Sequence, residues 1–330
     1  MSNEPGFKVA QRNTCIDVIK GFLLTLVIAG HIMLSDPNAP SIRGFIYFFH
    51  MPLFIAISGY LSYKSLMNYD MPGAIRKSLV RMGLPYVIAF LIYSSLSALK
   101  SSDLYSLQNV ALVFIYPYYH LWYVPAIVIY IALSKSILSL SKSLPIVVGA
   151  SLSASFYFGD FLHRDAMKDS LTYMGDKRFY YYWCFFCVGL LCYRYRELNL
   201  RRWVAIPLSL GIAVWLLYAA PSSRLFTWAL YLISTIIMIL AMFNAIESRP
   251  GCRSKFFERV GESSLPIYLW HVLPIVVSRA LFQGVTYYVA SIIGVTVVIA
   301  CSIHLQRSKG ILHRLFCGGS MMSSSSDSPR

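Results

Sequence analysis

Apolar runs close to eighteen residues long recur from one end of this 330-residue chain to the other, and no other feature restricts its fold as strongly. At 1.5 Å of rise per residue, a helix of that length crosses a hydrocarbon core ~30 Å thick. With 57% hydrophobic and 13% charged residues, against roughly a quarter charged in an ordinary soluble domain, the chain cannot cover itself with a polar surface. Its solvent is therefore lipid, and because lipid offers the backbone no hydrogen bonds, the runs must be helices. They lie near 16–34, 44–63, 80–98, 120–138, 144–159, 178–196, 203–220, 225–246, 264–281 and 285–305. The expected fold class is all-α, a polytopic integral membrane protein of about ten transmembrane helices. A segment 1–15 precedes the transmembrane domain 16–305, and a tail 306–330 follows it. The Ser-rich end of that tail, from Ser320 onward, reads as disordered.

The formal charge of +15 raises nucleic acid as a partner. Its basic residues, however, sit in short clusters between apolar runs rather than along one face, which argues for loop orientation instead. Termini and loops that an N-inside topology places in the cytoplasm hold 20 Lys and Arg, those it places outside hold 8, and Lys20 lies within the first span. By the positive-inside rule both termini are cytoplasmic. The first apolar run lacks a small-residue cleavage site, so no cleavable signal peptide is expected. The stretch 107–119 reads as a short re-entrant piece, and 160–178 as an outer loop. The seven cysteines, at 15, 184, 187, 192, 252, 301 and 317, show no metal-ligand spacing. They read as small apolar residues, including the CxxC of Cys184 and Cys187 inside the aromatic run YYYWCFFCVGLL. No metal site is expected.

Inside a span an ionisable side chain costs about 2.5–3.5 kcal/mol at mid-helix on insertion scales, so each one needs a reason. In the first span, IDVIKGFLLTLVIAGHIML, Lys20 and His31 are eleven residues apart, about 16 Å along the helix and roughly three turns around it. They share a face, with Lys20 near the inner end and His31 in the outer half. The second span runs inward through HMPLFIAISGYL, which puts His50 in the outer half and Ser58 deeper, beside Gly59. His120, Leu121, Trp122 and Tyr123 open the fourth span at its outer end. In the ninth, SSLPIYLWHV places His271 near the middle with Tyr268 three residues before it. Plain readings stand beside these: interfacial residues for His50 and His120, helix-packing hydrogen bonds for His31 and His271, and a Lys20 that snorkels to the headgroups.

Four of these segments together resemble the acyltransferase-3 family of membrane O-acyltransferases, most closely its fucose 4-O-acetylase-like branch. They are the basic residue, ten residues and His pattern from Lys20 to His31, then PLFIAISGYL, HLWYV and SLPIYLWH, in the family's order and on about ten spans. One position departs from the pattern. The family usually has Arg where this chain has Lys20, and lysine lacks the planar bidentate fork of Arg.

The resemblance implies transfer of an acetyl group from cytoplasmic acetyl-CoA, a co-substrate rather than a bound cofactor, to a hydroxyl of a surface glycan or lipid-linked glycan. The expected setting is the bacterial inner membrane. On that reading His31 is the general base and His271, with Tyr268, orients it or stabilises the oxyanion. Asp17, Lys20 and Ser58 line the donor path, with Asp17 placed to pair with Lys20 three residues on. His50, His120 and Trp122 fall on the acceptor side. The main alternative is a transporter or flippase, because intramembrane ionisable residues also mark substrate pathways. Topology can be tested directly. Reporter fusions at Met67 and Asn199 should read cytoplasmic and one at Lys168 periplasmic; a cytoplasmic reading at Lys168 would reverse the orientation and the depth assigned to His31.

Overall fold

A computed structural model describes residues 13–33, 40–100, 120–160, 178–195, 224–248, 254–308 and 310–318. Among these residues every regular element is a helix: α1 (Thr14–Ile32), α2 (Pro40–Asn68), α3 (Met71–Lys100), α4 (Tyr123–Ser141), α5 (Leu144–Asp160), α6 (Arg178–Tyr181), α7 (Trp183–Arg194), α8 (Arg224–Ser248), α9 (Lys255–Glu262), α10 (Ser264–Trp270), α11 (Val272–Leu281), α12 (Gly284–Arg307) and α13 (Ile311–Cys317). The all-α membrane fold follows. Seven segments among the described residues are long and apolar enough to cross a bilayer: α1, most of α2, α3 and α8, α4, the joined α10 and α11, and α12. The expected fifth span is a shorter apolar helix, and the expected sixth is divided into α6 and α7 at Tyr182. The run 203–220, the stretch 107–119, most of the loop 160–178 and the tail from Ser320 lie outside the described residues.

Local signals set the helix starts. The Asn13 side chain accepts a hydrogen bond from the Cys15 amide at 3.0 Å to cap α1, and Ser254 accepts from the Phe257 amide at 3.5 Å to cap α9, each satisfying an N–H with no helical partner. Position in the bundle follows composition. The apolar window of α2 is 61% buried, whereas that of α12 is 17% buried and turns Val285, Ile292, Ile293 and Val297 outward. In lipid an exposed aliphatic row costs nothing, and the polar side chains collect inside instead. Cys15 is disulfide-bonded, which corrects the reading of all seven cysteines as simple apolar fillers. Cys184, Cys187, Cys192, Cys301 and Cys317 are free thiols.

Two helix pairs approach backbone to backbone. Gly59 of α2 faces the Phe186 carbonyl of α7, and Gly189 of α7 faces the Ala56 carbonyl of α2. Gly21 of α1 likewise faces the Phe257 carbonyl of α9, and Gly261 of α9 faces the Asp17 carbonyl of α1. In both pairs the contact order is reversed, so the partners run in opposite directions. Any Cβ at these four positions would overlap main-chain atoms, which only glycine avoids. Beyond α12 the chain folds back rather than trailing away. Gly318, at φ +89°, ends α13 against the Arg81 carbonyl of α3.

Gly59→Val should therefore lower the melting temperature in detergent and reduce the monodisperse fraction, since overpacking against backbone costs typically 1–3 kcal/mol or more. Gly149→Ala is the control. Among the described residues no atom lies within 4 Å of a Cβ there, so helix propensity should leave it as stable or more so, by up to ~1 kcal/mol.

Candidate active site

Three histidines from three separate elements meet. His31 sits in the last turn of α1, whose end is held by a hydrogen bond from the Tyr287 hydroxyl to the Ile32 carbonyl at 2.9 Å. His120 lies in the turn that leads into α4. His271 occupies the break between α10 and α11. Pro274 explains that break: it has no N–H to offer the Trp270 carbonyl, and its ring crowds the same oxygen. The ring centroids lie 5.2 Å apart for His31 and His271, 5.7 Å for His120 and His271, and 6.2 Å for His31 and His120. His271 is fully buried and His120 is buried, while His31 is half-buried and the most open of the three.

Hydrogen bonds to carbonyls fix two tautomers, because only an N–H can donate there. His271 Nδ1 donates to the carbonyls of Ile267 at 3.0 Å and Tyr268 at 2.8 Å. Its Nε2 therefore carries the lone pair, and among the described residues that atom has no hydrogen-bond partner. His120 Nε2 donates to the Leu269 carbonyl at 3.3 Å, and the Tyr93 hydroxyl donates to the same oxygen at 3.1 Å. The Tyr268 hydroxyl donates to the His120 carbonyl, and its ring lies 6.1 Å from both His120 and His271. Tyr268 thus ties the turn before α4 to α10.

On the far side of Tyr268 is a cavity of about 1180 Å³. Ser58, Tyr123 and Tyr268 line it, where the Tyr123 hydroxyl bonds Ser58 Oγ and Ser58 in turn donates to the Phe54 carbonyl at 3.1 Å. It is also lined by Lys20, Lys64, Lys77, Arg81, Arg307, Arg314 and His313, with Glu262 as its one acidic residue among those described. Lys20 pairs with Asp17 at 3.1 Å. Those other Lys and Arg are among the charges that loop asymmetry led us to expect in the cytoplasm. A space of this volume and polarity suits a large anionic ligand. No group of three or more His, Cys, Asp or Glu suited to a metal ion occurs among the described residues.

A model of the acyltransferase domain family matches residues 13–305. The chain belongs to that family. Curated relatives include the nodulation protein NolL of Mesorhizobium japonicum, 37% identical across 22% of each chain, and NolL of Sinorhizobium fredii, 34% identical across 22% of each. An amino-acid racemase of Enterococcus faecalis is 23% identical over 87% of this chain and 44% of its own length. The chain thus spans less than half the length of these relatives. No solved structure matches it.

In this acyltransferase-family chain the expected site residues separate into groups. His31, His271 and Tyr268 come together, and His120, expected on the acceptor side, joins them. The ring of His271 lies nearest that of His31, at 5.2 Å. Trp122 stands elsewhere, whereas His50 lies within electrostatic reach of His31. His50 Nδ1 donates to its own helix at the Ile46 carbonyl, at 2.6 Å, and its ring lies against Tyr47. Trp122 stacks on Tyr182 at 5.3 Å beneath the Arg178 guanidinium. Asp17, Lys20 and Ser58 belong to the cavity side. Sequence reasoning missed the cavity cations, which it counted only as loop charges, and also Tyr93 and Tyr123, whose aromatic type is common at membrane interfaces. Cys317 lines the cavity too, but burial pushes its thiol up to about 11, so it is neutral near pH 7 and a poor nucleophile.

Tyr268→Phe should leave the His120 carbonyl without this donor. A buried unsatisfied group costs about 1–3 kcal/mol, which a melting curve of the purified variant should register as a loss of several degrees. An unchanged melting temperature would mean that water or another group replaces the hydroxyl.

Proposed function

We propose that this chain is a membrane O-acetyltransferase that moves an acetyl group from cytoplasmic acetyl-CoA to a hydroxyl of a surface glycan or lipid-linked glycan across the bacterial inner membrane. The observation that carries this reading is a single one: Tyr268, whose ring lies 6.1 Å from those of His120 and His271, also lines the cation-rich cavity. A thioester whose phosphates stay near those cations reaches toward the cluster with its acyl end, while the acceptor approaches His31 from the outer half.

The chemistry follows from the groups present. The sugar oxygen attacks the thioester carbonyl as His31 takes the hydroxyl proton, forming the C–O bond and a tetrahedral oxyanion. Collapse breaks the C–S bond, and the proton passes from His31 to the departing thiolate. A neutral imidazole suits both transfers. The ring of His271 packs beside His31, and the cluster's polar edges stabilise the oxyanion. Lys20, neutralised in part by Asp17, holds the donor along the path. The racemase's named activity is not carried over at 23% identity and 44% coverage of that protein.

Purified protein should release CoA thiol from acetyl-CoA when a glycan acceptor is added, which a transporter would not do. Loss of a general base typically costs 10²–10⁴-fold in rate, about 3–5 kcal/mol of barrier, so His31→Gln should abolish detectable transfer with normal accumulation of protein. Near-normal specific activity in His31→Gln would move the proton transfer to His271. Lys20→Arg should retain most activity, whereas Lys20→Ala should raise the acetyl-CoA KM.

A further inference from the structure

The segment 306–318 lies beyond the residues matched by the family model, which end at 305, yet it supplies a wall of the cavity. Arg307, His313 and Arg314 line it from this segment, together with Lys64, Lys77 and Arg81 of α2 and α3. The wall is seated by specific contacts. Phe316 of α13 packs on Trp270 with ring centroids 5.5 Å apart, Cys317 is buried, and the left-handed Gly318 lets the backbone close on the Arg81 carbonyl. A side chain at that last position would strike the oxygen of a residue that itself lines the cavity. The segment is therefore held where its cations line the cavity with those of α2 and α3.

Arg307 and Arg314 have no carboxylate partner among the described residues, nor have Lys64 and Arg81. Cations gathered from separate elements around one space, with Glu262 as the one acidic lining residue among those described, repel one another unless an anion enters. An arginine fork suits phosphate oxygens in particular.

We propose that Arg307, His313 and Arg314 form a phosphate clamp at the cavity for the nucleotide end of the donor, with Arg81 and Lys77 of the adjoining α3 as its further cations. The ligand chemistry is that of a compound bearing several phosphates at the end remote from its acyl group. This rests on the reading of the cavity as the acyl-donor site. Because Phe316 touches Trp270, the neighbour of His271, binding at the clamp also bears on the segment that carries the catalytic cluster.

The test uses the full chain in neutral-lipid nanodiscs, with thiol release measured for two donors: acetyl-CoA and the phosphate-free acetylpantetheine. Arg314→Gln and the double variant Arg307→Gln with Arg314→Gln should raise the acetyl-CoA KM by about 10- to 100-fold, the scale of lost charge-assisted hydrogen bonds. Kinetics with acetylpantetheine should be unchanged, Arg314→Lys should recover part of the loss, and Lys255→Ala should behave as wild type. Equal losses with both donors would make α13 a structural brace and overturn the clamp. A wild-type KM for acetyl-CoA in the double variant would overturn it too. If instead the variants differ from wild type only when phosphatidylglycerol is added, the phosphate held there belongs to a lipid headgroup and the donor clamp fails. Should wild type release thiol from neither donor, the acetyltransferase reading falls, which is distinct from a failure of the clamp.

Discussion

Backbone contact through glycine is the constraint on which the arrangement depends. Between lipid-embedded helices there is little hydrophobic force, so association rests on close packing and internal hydrogen bonds. Gly21 and Gly261 let α1 meet α9 without an intervening side chain, and the contact lies one residue from Lys20. Gly59 and Gly189 do the same for α2 and α7, next to Ser58. Both pairs thus position a polar residue of the cavity wall to within the tolerance of a backbone contact. Flexible side chains at those crossings would leave the cavity without a fixed shape.

Two environments of different polarity adjoin across one ring. The cavity holds serines, cations and Glu262, and those charges stay partly hydrated through the mouth. The histidine cluster is set among buried aromatic and aliphatic groups: Tyr93 lies edge-on to His120 at 4.7 Å, and Tyr268 meets both His120 and His271. In so dry a setting a hydrogen bond or a lone pair counts for more than in water. That is why the fixed tautomer of His271, with Nε2 left basic, has chemical weight. His271 itself keeps helical dihedrals, and its Nδ1 donates to the Ile267 and Tyr268 carbonyls of the preceding turn.

Much of this was readable beforehand because it depends on local properties. The length and apolarity of a run are properties of consecutive residues, so the positions of α1, α4, α8, α10 with α11, and α12 follow from them. The pairing of Asp17 with Lys20 follows from helix periodicity, and Lys20, His31 and His271 stand out because an ionisable group in lipid needs a reason. The order of four motifs was enough to suggest the family to which the chain belongs.

What the sequence by itself determined, then, is a membrane-embedded helical chain with particular costly residues at particular heights along single helices. Only the tertiary structure decided which of them meet. His120 joins His31 and His271, whereas His50 bonds its own helix and Trp122 packs beneath Arg178. Arg307 and Arg314 return to line the same cavity as Arg81. The reason is geometric: a helix's own periodicity sets which residues share its face, but the rotation of that face toward a neighbour is set by glycine contacts and proline breaks between segments remote in sequence, and no local pattern records that angle.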